Sequence, residues 1–145
     1  MTLKHISPVC QWQPMLQKLE IFGSVDCPAF FEQLGASLDE VFLPAEHLIV
    51  RQGQQLHSLY ILVSGRIKFQ VHQVTLAELT EGACLGELSV LDHQPSPVSI
   101  HTLEPCHFLM LSEQALLKAI QVHPGVSLQM TQGLYKKVCR FHALA

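Results

Sequence analysis

Residues 86–100 bring the carboxylate of Glu87 and three serine hydroxyls together in a short stretch of the chain. Residues 86–91 read Gly-Glu-Leu-Ser-Val-Leu, and residues 94–100 read Gln-Pro-Ser-Pro-Val-Ser-Ile. The carboxylate of Glu87 and the serine hydroxyls can bond either a ligand or the backbone of nearby strand ends. Gly86 favours a turn in both cases. Neither segment contains lysine or arginine, so an anionic ligand would lack a strong cationic partner here.

No pattern of catalytic or metal-binding residues occurs elsewhere in the sequence. There is no Ser-His-Asp or P-loop pattern, and no His-x-His pair. Cys106 and His107 are adjacent on a predicted strand, so their side chains would point to opposite faces. The five cysteines are widely spaced without a C-x-x-C pair, which predicts reduced thiols rather than a zinc site or disulfides. We therefore predict that the protein is not an enzyme and binds no metal.

Composition and charge exclude several other classes. The length of 145 residues suits one domain. Charged residues make up only 14%, against roughly 25% in an average domain, so a ligand, a partner or self-association would help to cover the surface. The net charge of −3 predicts no direct binding to nucleic acid. The apolar runs are too short for a membrane span and the N-terminus lacks a signal peptide, so we predict a cytoplasmic protein.

The first part of the chain predicts a loose tail and then helices. Residues 1 to about 10 show no clear period. Residues from about 11 to 38 have helical spacing, interrupted at residues 23–26. Asp26 is a candidate N-cap of the second helix, with Pro28 in its first turn.

Residues from about 40 to 112 predict an eight-stranded β-roll or jelly roll. Short apolar runs alternate with turn residues at the spacing of an all-β fold. Residues 67–71 alternate apolar and polar side chains, and residues 74–79 follow after a very short connection. These two segments therefore predict a β-hairpin.

Residues from about 113 to 145 predict flanking helices, so the fold class is mainly β with helices at both ends. Ser112 is a plausible N-cap of the first of them. The last helix carries an apolar stripe, which is either part of the core of this domain or a dimer interface. The stripe comprises Val126, Met130, Leu134, Val138 and Phe141.

Several spaced motifs together resemble the cyclic nucleotide-binding domain, and in particular the sensor domain of Crp/Fnr-like (catabolite activator-like) regulators. Residues 19–22 resemble the entry motif of that family. Residues 42–53 contain a Pro-Ala-Glu turn followed by a glycine, and residues 59–68 resemble its strand-Ser-Gly-strand signature. Gly82 and the Gly-Glu-Leu of residues 86–88 follow in the expected order. The resemblance covers roughly residues 16–140, and no DNA-binding domain follows in this chain.

The resemblance implies roles for the residues of a phosphate-binding cassette. Gly86 would allow close backbone approach to a cyclic phosphate, Glu87 would accept from the ribose 2′-hydroxyl and Leu88 would form a wall. Ser99 stands at a small hydroxyl position of the family. Ser96 stands where the family has the arginine that pairs with the phosphate, and Val98 where it prefers alanine. The cassette is therefore degenerate.

Loss of the arginine predicts weak or absent binding of cyclic nucleotides. Leaving a phosphate without its charged partner costs on the order of 2–5 kcal/mol, which moves a micromolar affinity toward millimolar. Arg66 and Lys68 alternate with the apolar residues of their strand and are predicted to point outward. His93 and His101 are nearer to the cassette in sequence and could replace the arginine.

The resemblance leaves two functions open. The first is a regulatory, ligand-sensing module for transcription or signalling, which binds a cyclic nucleotide weakly or another small ligand, with no certain cofactor. The second is a protein-interaction or dimerisation module with a collapsed pocket. In both cases we predict a homodimer through the C-terminal apolar stripe. If the native protein continues into a DNA-binding domain, this chain would be its effector half.

Overall fold

A computed structural model describes residues 12–131, apart from the side chain of Leu88, and the backbone of residues 2–5. The N-terminal helices confirm the prediction for residues 11–38. They are α1 (Gln13–Gln17), a 3-10 helix (Glu20–Phe22) and α2 (Pro28–Gly35). The predicted cap of α2 is wrong by one residue: Cys27 occupies the N-cap position, and its side chain makes no capping hydrogen bond.

Nine described strands form two antiparallel sheets. The strands are β1 (Thr2–His5), β2 (Asp39–Leu43), β3 (Leu48–Val50), β4 (Ser58–Ser64), β5 (Ile67–Val71), β6 (Val74–Leu79), β7 (Cys84–Leu85), β8 (Ser99–Thr102) and β9 (Cys106–Ser112). One sheet has the order β1-β2-β9-β4-β7 and the other β3-β8-β5-β6. Eight of these strands lie between residues 39 and 112, which confirms the predicted roll.

Strand β1 corrects the prediction of a loose tail. Residues 2–5 pair antiparallel with β2, so that Thr2 lies opposite Phe42 and His5 opposite Asp39. Backbone pairing with a strand far along the chain stabilises a segment that has no amphipathic period of its own. The local pattern on which the sequence prediction relied could not reveal this partner.

The two faces of the five-stranded sheet pack against different cores. On β4, Leu59 and Ile61 contact the helices, whereas Leu62 points into the roll. The same alternation on β9 places Leu109 with the helices and Phe108 inside the roll. Successive residues of a strand point to opposite faces, so one strand can serve both cores.

The predicted hairpin is confirmed, and its turn has an uncommon backbone. β5 and β6 pair antiparallel with Val71 opposite Val74. The two residues between them, His72 and Gln73, have φ values of 49° and 67°. Two consecutive positive φ values are those of a type I′ turn, whose twist matches that of the flanking strands.

The C-terminal helices begin as predicted. The Ser112 hydroxyl accepts a hydrogen bond from the Ala115 N–H at 3.1 Å and caps α4 (Glu113–Val122). Residues 126–131 are helical again. Val126 and Met130 are buried in the core of this domain, and the other three stripe residues, Leu134, Val138 and Phe141, lie outside the described residues. No helix within residues 12–131 is long and apolar enough to cross a membrane.

Candidate functional site

Gly86 joins the end of β7 to the short helix α3 (Glu87–Asp92). Its φ is +96°, and a Cβ atom at this position would lie 2.7 Å from the backbone oxygen of Ser58. The Gly86 carbonyl accepts a hydrogen bond from the Val90 N–H at 2.9 Å. The fold therefore requires glycine here because α3 starts directly against β4, whether or not a ligand is present.

Glu87 is the first residue of α3 and is buried, with an exposed fraction of 6%. It takes part in interactions within the protein. A buried carboxylate at this position agrees with both readings of Glu87, as a ligand contact and as a structural residue. Leu88, the predicted wall residue, has no described side chain.

Ser96 is a structural residue of the loop before β8. Its hydroxyl donates a hydrogen bond to the Val98 carbonyl at 2.6 Å, and its exposed fraction is 7%. Its N–H donates to the Gln54 carbonyl at 2.7 Å, and its carbonyl accepts from the Gly53 N–H at 2.9 Å. Ser96 therefore ties this loop to residues 53–54.

The serine hydroxyls on either side of Ser96 also bond the backbone. Ser89 on α3 donates to the Gln94 carbonyl at 2.8 Å. The Ser99 hydroxyl accepts from the Gln52 N–H at 2.9 Å. These contacts close the loop after α3 and attach the start of β8 to the loop after β3.

Val98 and Ser99 face opposite sides of the four-stranded sheet. Val98 and Ile100 are buried in the interior of the roll together with Leu85, so Ser99 points to the outer side. An interior lined by branched aliphatic side chains can pack against an apolar group. These residues offer no charge to a phosphate.

Arg66 lies on the outer surface, as predicted. Its side chain contacts Glu104 at 3.0 Å and Glu78 at 3.3 Å, and all three side chains are exposed. These exposed ion pairs contribute little to stability. They place the guanidinium group outside the roll.

Neither histidine proposed as a substitute for the arginine lies inside the roll. The His93 side chain is 69% exposed, and its Nδ1 lies 3.3 Å from a carboxylate oxygen of Glu113. His101 lies opposite Lys68 in the β5–β8 ladder, on the outer face of the sheet, because its neighbour Ile100 points inward. This outward placement disfavours the prediction that either could take the place of the arginine.

The titration of His101 makes the stability of the domain depend on pH. Burial, and then the positive charge of Lys68, lower the pKa of His101 below its usual value. Its Nδ1 is buried without a hydrogen-bond partner among the described residues. The folded protein thus binds this proton less readily than the unfolded chain does, so stability is present above the ordinary histidine pKa of about 6.5 and is lost as the pH falls below it.

We expect His101→Gln to flatten the pH dependence of the free energy of unfolding between about pH 7 and 5. Urea unfolding at several pH values measures this slope. Lys68→Gln should reduce the slope in part, because it removes one of the two causes of the lowered pKa. Lys118→Gln, which removes a lysine from the exposed side of α4, is the control. Equal slopes in His101→Gln and the unmodified protein would contradict this interpretation.

The family model for the cyclic nucleotide-binding domain matches residues 40–123, which is more than half of the chain. The match includes the roll, the segment from Gly86 to Ser99 and α4. The chain therefore belongs to the cyclic nucleotide-binding domain family.

Similar proteins carry this domain in different contexts. The potassium channel KAT1 of Arabidopsis thaliana is 28% identical over 129 residues, which cover 86% of this chain and 19% of the channel. The chain thus spans about a fifth of that relative. The lysophospholipase nte1 of Aspergillus fumigatus is 22% identical over 110 residues, which cover 72% of this chain and 7% of that protein.

A solved structure has the same fold over nearly the whole length of both chains. The N-terminal domain of a transcriptional regulator from Streptomyces coelicolor has a TM-score of 0.73 and 21% identity, and the match covers 90% of this chain and 94% of that one. At this identity the likeness shows the fold alone. A domain with this fold is therefore found in that transcriptional regulator.

The loop at residues 51–54 is the part of the site that the sequence did not reveal. The loop donates from the Gly53 N–H to the Ser96 carbonyl and from the Gln52 N–H to the Ser99 hydroxyl, and its Gln54 carbonyl accepts from the Ser96 N–H. Gly53 marks a turn in the sequence, but a turn residue does not indicate which distant segment it will bond.

Proposed function

We propose that this domain is a regulatory ligand-sensing module, resembling the effector domain of Crp/Fnr-type transcription regulators, that binds cyclic nucleotides weakly or not at all. Its role is regulatory rather than catalytic. The observation that carries the proposal is the buried Ser96, whose hydroxyl donates to the Val98 carbonyl at 2.6 Å. The resemblance places an arginine at this position.

The absence of a cation at Ser96 affects the phosphate more than any other part of a cyclic nucleotide. A guanidinium group binds phosphate oxygens through two parallel, charge-assisted hydrogen bonds. Ser96 supplies one neutral hydroxyl, which already bonds a carbonyl group. Arg66 is held outside the roll by two glutamates. A cyclic phosphate next to the buried Glu87 would therefore lack a compensating charge, a loss on the order of 2–5 kcal/mol.

The interior of the roll favours a ligand with an apolar body and little charge. Val98 and Ile100 pack there with partly buried residues such as Phe69 and Tyr60. Glu87, if it contacts a ligand, selects a hydroxyl or amine donor. We propose a small neutral or cationic molecule as the ligand class.

Titration calorimetry with cyclic AMP and cyclic GMP up to millimolar concentration tests the proposal. We expect dissociation constants between about 30 micromolar and several millimolar, since a loss of this size weakens a micromolar site by roughly 30-fold to several thousand-fold. Thermal shift measurements at the same concentrations should show little stabilisation. A dissociation constant near one micromolar for either nucleotide would refute the proposal and show that another cation reaches the phosphate.

A second candidate function is a protein-interaction or dimerisation module, with no direct binding of nucleic acid by this chain. Exposed apolar side chains on the C-terminal helices favour it: Leu128 is 77% exposed and Val122 is 57% exposed. Val126 and Met130 pack inward, so a homodimer would use the opposite side of that helix or the later stripe residues. Sedimentation velocity alongside the titration distinguishes the two functions: a nucleotide-independent dimer at micromolar concentration favours the second.

A further inference from the structure

A cysteine and a histidine from opposite ends of the chain meet at the helical side of the domain. The Sγ atom of Cys27 lies 3.7 Å from Nδ1 of His123, although 96 residues separate them in sequence. Cys27 is the N-cap residue of α2, and His123 is the C-cap residue of α4. The ring of Phe30 packs edge-on against the imidazole, with 6.3 Å between centroids, and restricts its orientation.

The same cysteine lines a cavity of about 250 Å³ that is open to solvent. Phe22, Phe31 and Val25 form apolar walls, and Asp26 and Gln17 contribute polar groups. The volume admits a small molecule beside Cys27. The carboxylate of Asp26 disfavours an anionic one.

We propose that Cys27 is an oxidation site for small neutral hydroperoxides, with His123 accepting the proton of the thiol. The site lies among the helices rather than in the roll, so it does not depend on the function proposed above. A thiol paired with a histidine, at a helix N-terminus and beside an accessible cavity, has the surroundings found at reactive cysteines.

The chemistry uses the two side chains and one hydroperoxide. The proton of the Cys27 thiol passes to Nδ1 of His123. The sulfur then attacks the terminal oxygen of the peroxide, so that an S–O bond forms and the O–O bond breaks. The departing hydroxide or alkoxide takes the proton from His123 and leaves as water or alcohol. Sulfur is oxidised by two electrons to a sulfenic acid, and the peroxide is reduced by two.

The other described cysteines are less accessible than Cys27 and provide internal controls. Cys84 and Cys106 are both buried. The Cys106 thiol donates to the carbonyl groups of Glu104 and Arg66, at 3.2 Å and 3.4 Å. Burial raises the pKa of the Cys106 thiol, which disfavours the reactive thiolate.

The experiment measures the rate of sulfenic acid formation at each cysteine of the full chain. Reduced protein, freed of reductant under argon, is treated with hydrogen peroxide or cumene hydroperoxide in the presence of dimedone, and labelled peptides are quantified over time. We expect Cys27 to react at least tenfold faster than Cys84 or Cys106, and tenfold faster than a synthetic peptide of residues 22–32. His123→Ala should lower the Cys27 rate about tenfold or more.

Matched variants separate a chemical role of His123 from a structural one. His123→Gln keeps a polar side chain of similar size and should also slow the reaction, with a changed pH profile of the rate. His72→Ala removes an exposed histidine from the β5–β6 turn and should leave the rate unchanged. Circular dichroism checks that each variant is folded. A Cys27 rate equal to that of the peptide, or one unchanged in both His123 variants, overturns the proposal.

Discussion

Replacing Gly86 by alanine should lower the free energy of unfolding by about 3–5 kcal/mol, because two unfavourable effects combine at this position. The φ of +96° is a conformation that residues with a Cβ rarely adopt. The new Cβ would also lie 2.7 Å from the backbone oxygen of Ser58, and a backbone atom cannot move aside as a flexible side chain can. Urea unfolding followed by circular dichroism measures the change.

Gly82→Ala is the matched control for this substitution. Gly82 has nearly the same φ, +92°, but no atom lies within 4 Å of the position of its Cβ. The free energy of unfolding of this variant should therefore fall by only about 1–2 kcal/mol, which is the cost of the unfavourable φ. If the two variants were equally stable, the close approach of α3 to β4 would not explain the glycine, and a role in ligand contact would gain weight.

Ser96→Arg should destabilise the free domain by about 3–5 kcal/mol, the range typical of an uncompensated buried charge. The new side chain would begin from a position that is only 7% exposed. The substitution also removes the hydroxyl that donates to the Val98 carbonyl. The reference and variant proteins are compared by urea unfolding without ligand.

The same variant should gain affinity for cyclic AMP, since the guanidinium group supplies the missing charge for the phosphate. We expect its affinity to exceed that of the unmodified domain by 30-fold or more, measured by calorimetry, with a larger thermal shift at millimolar ligand. Gln70→Arg adds the same charge on the outer face of the sheet and should change neither property appreciably. Destabilisation without any gain in affinity would mean that the roll has no room for the nucleotide.

These substitutions separate the role of Gly86 in packing from the role of residue 96 in binding a phosphate. If Gly86 is needed only for packing, residues 86–88 keep the family pattern because α3 requires it. If Ser96→Arg alone restores binding, the rest of the site has remained compatible with a nucleotide. The two results are independent, because one concerns the backbone and the other a side chain.

Most of the fold could be predicted from local patterns. The period of two in residues 67–71, with a short connection to the next apolar run, identified the β5–β6 hairpin. Helical spacing in residues 11–38 predicted the helices that include α2, in which Phe30 and Leu34 are fully buried. Such patterns can be recognised because each element turns one side toward a core, so that its apolar residues recur at a fixed interval.

Local patterns do not reveal elements that have too few residues or that depend on a distant partner. β7 consists of Cys84 and Leu85 alone and is defined by its pairing with β4. β1 is defined by its pairing with β2. The sequence predicts Asp26 as the N-cap of α2 because aspartate is a common cap. The chain instead enters the helix at Cys27, which places the thiol beside His123.

The sequence by itself determined the order of the elements, the resemblance to a nucleotide-binding cassette and the absence of its arginine, because residue types and spacings can be read along one dimension. The tertiary structure decided which groups meet. It directs the hydroxyl of Ser96 to a backbone carbonyl, and it places His101 outside the roll. It also brings Cys27 to His123 across 96 residues of chain. Side-chain direction and long-range proximity follow from packing, which satisfies buried polar groups and fills space among residues far apart in sequence.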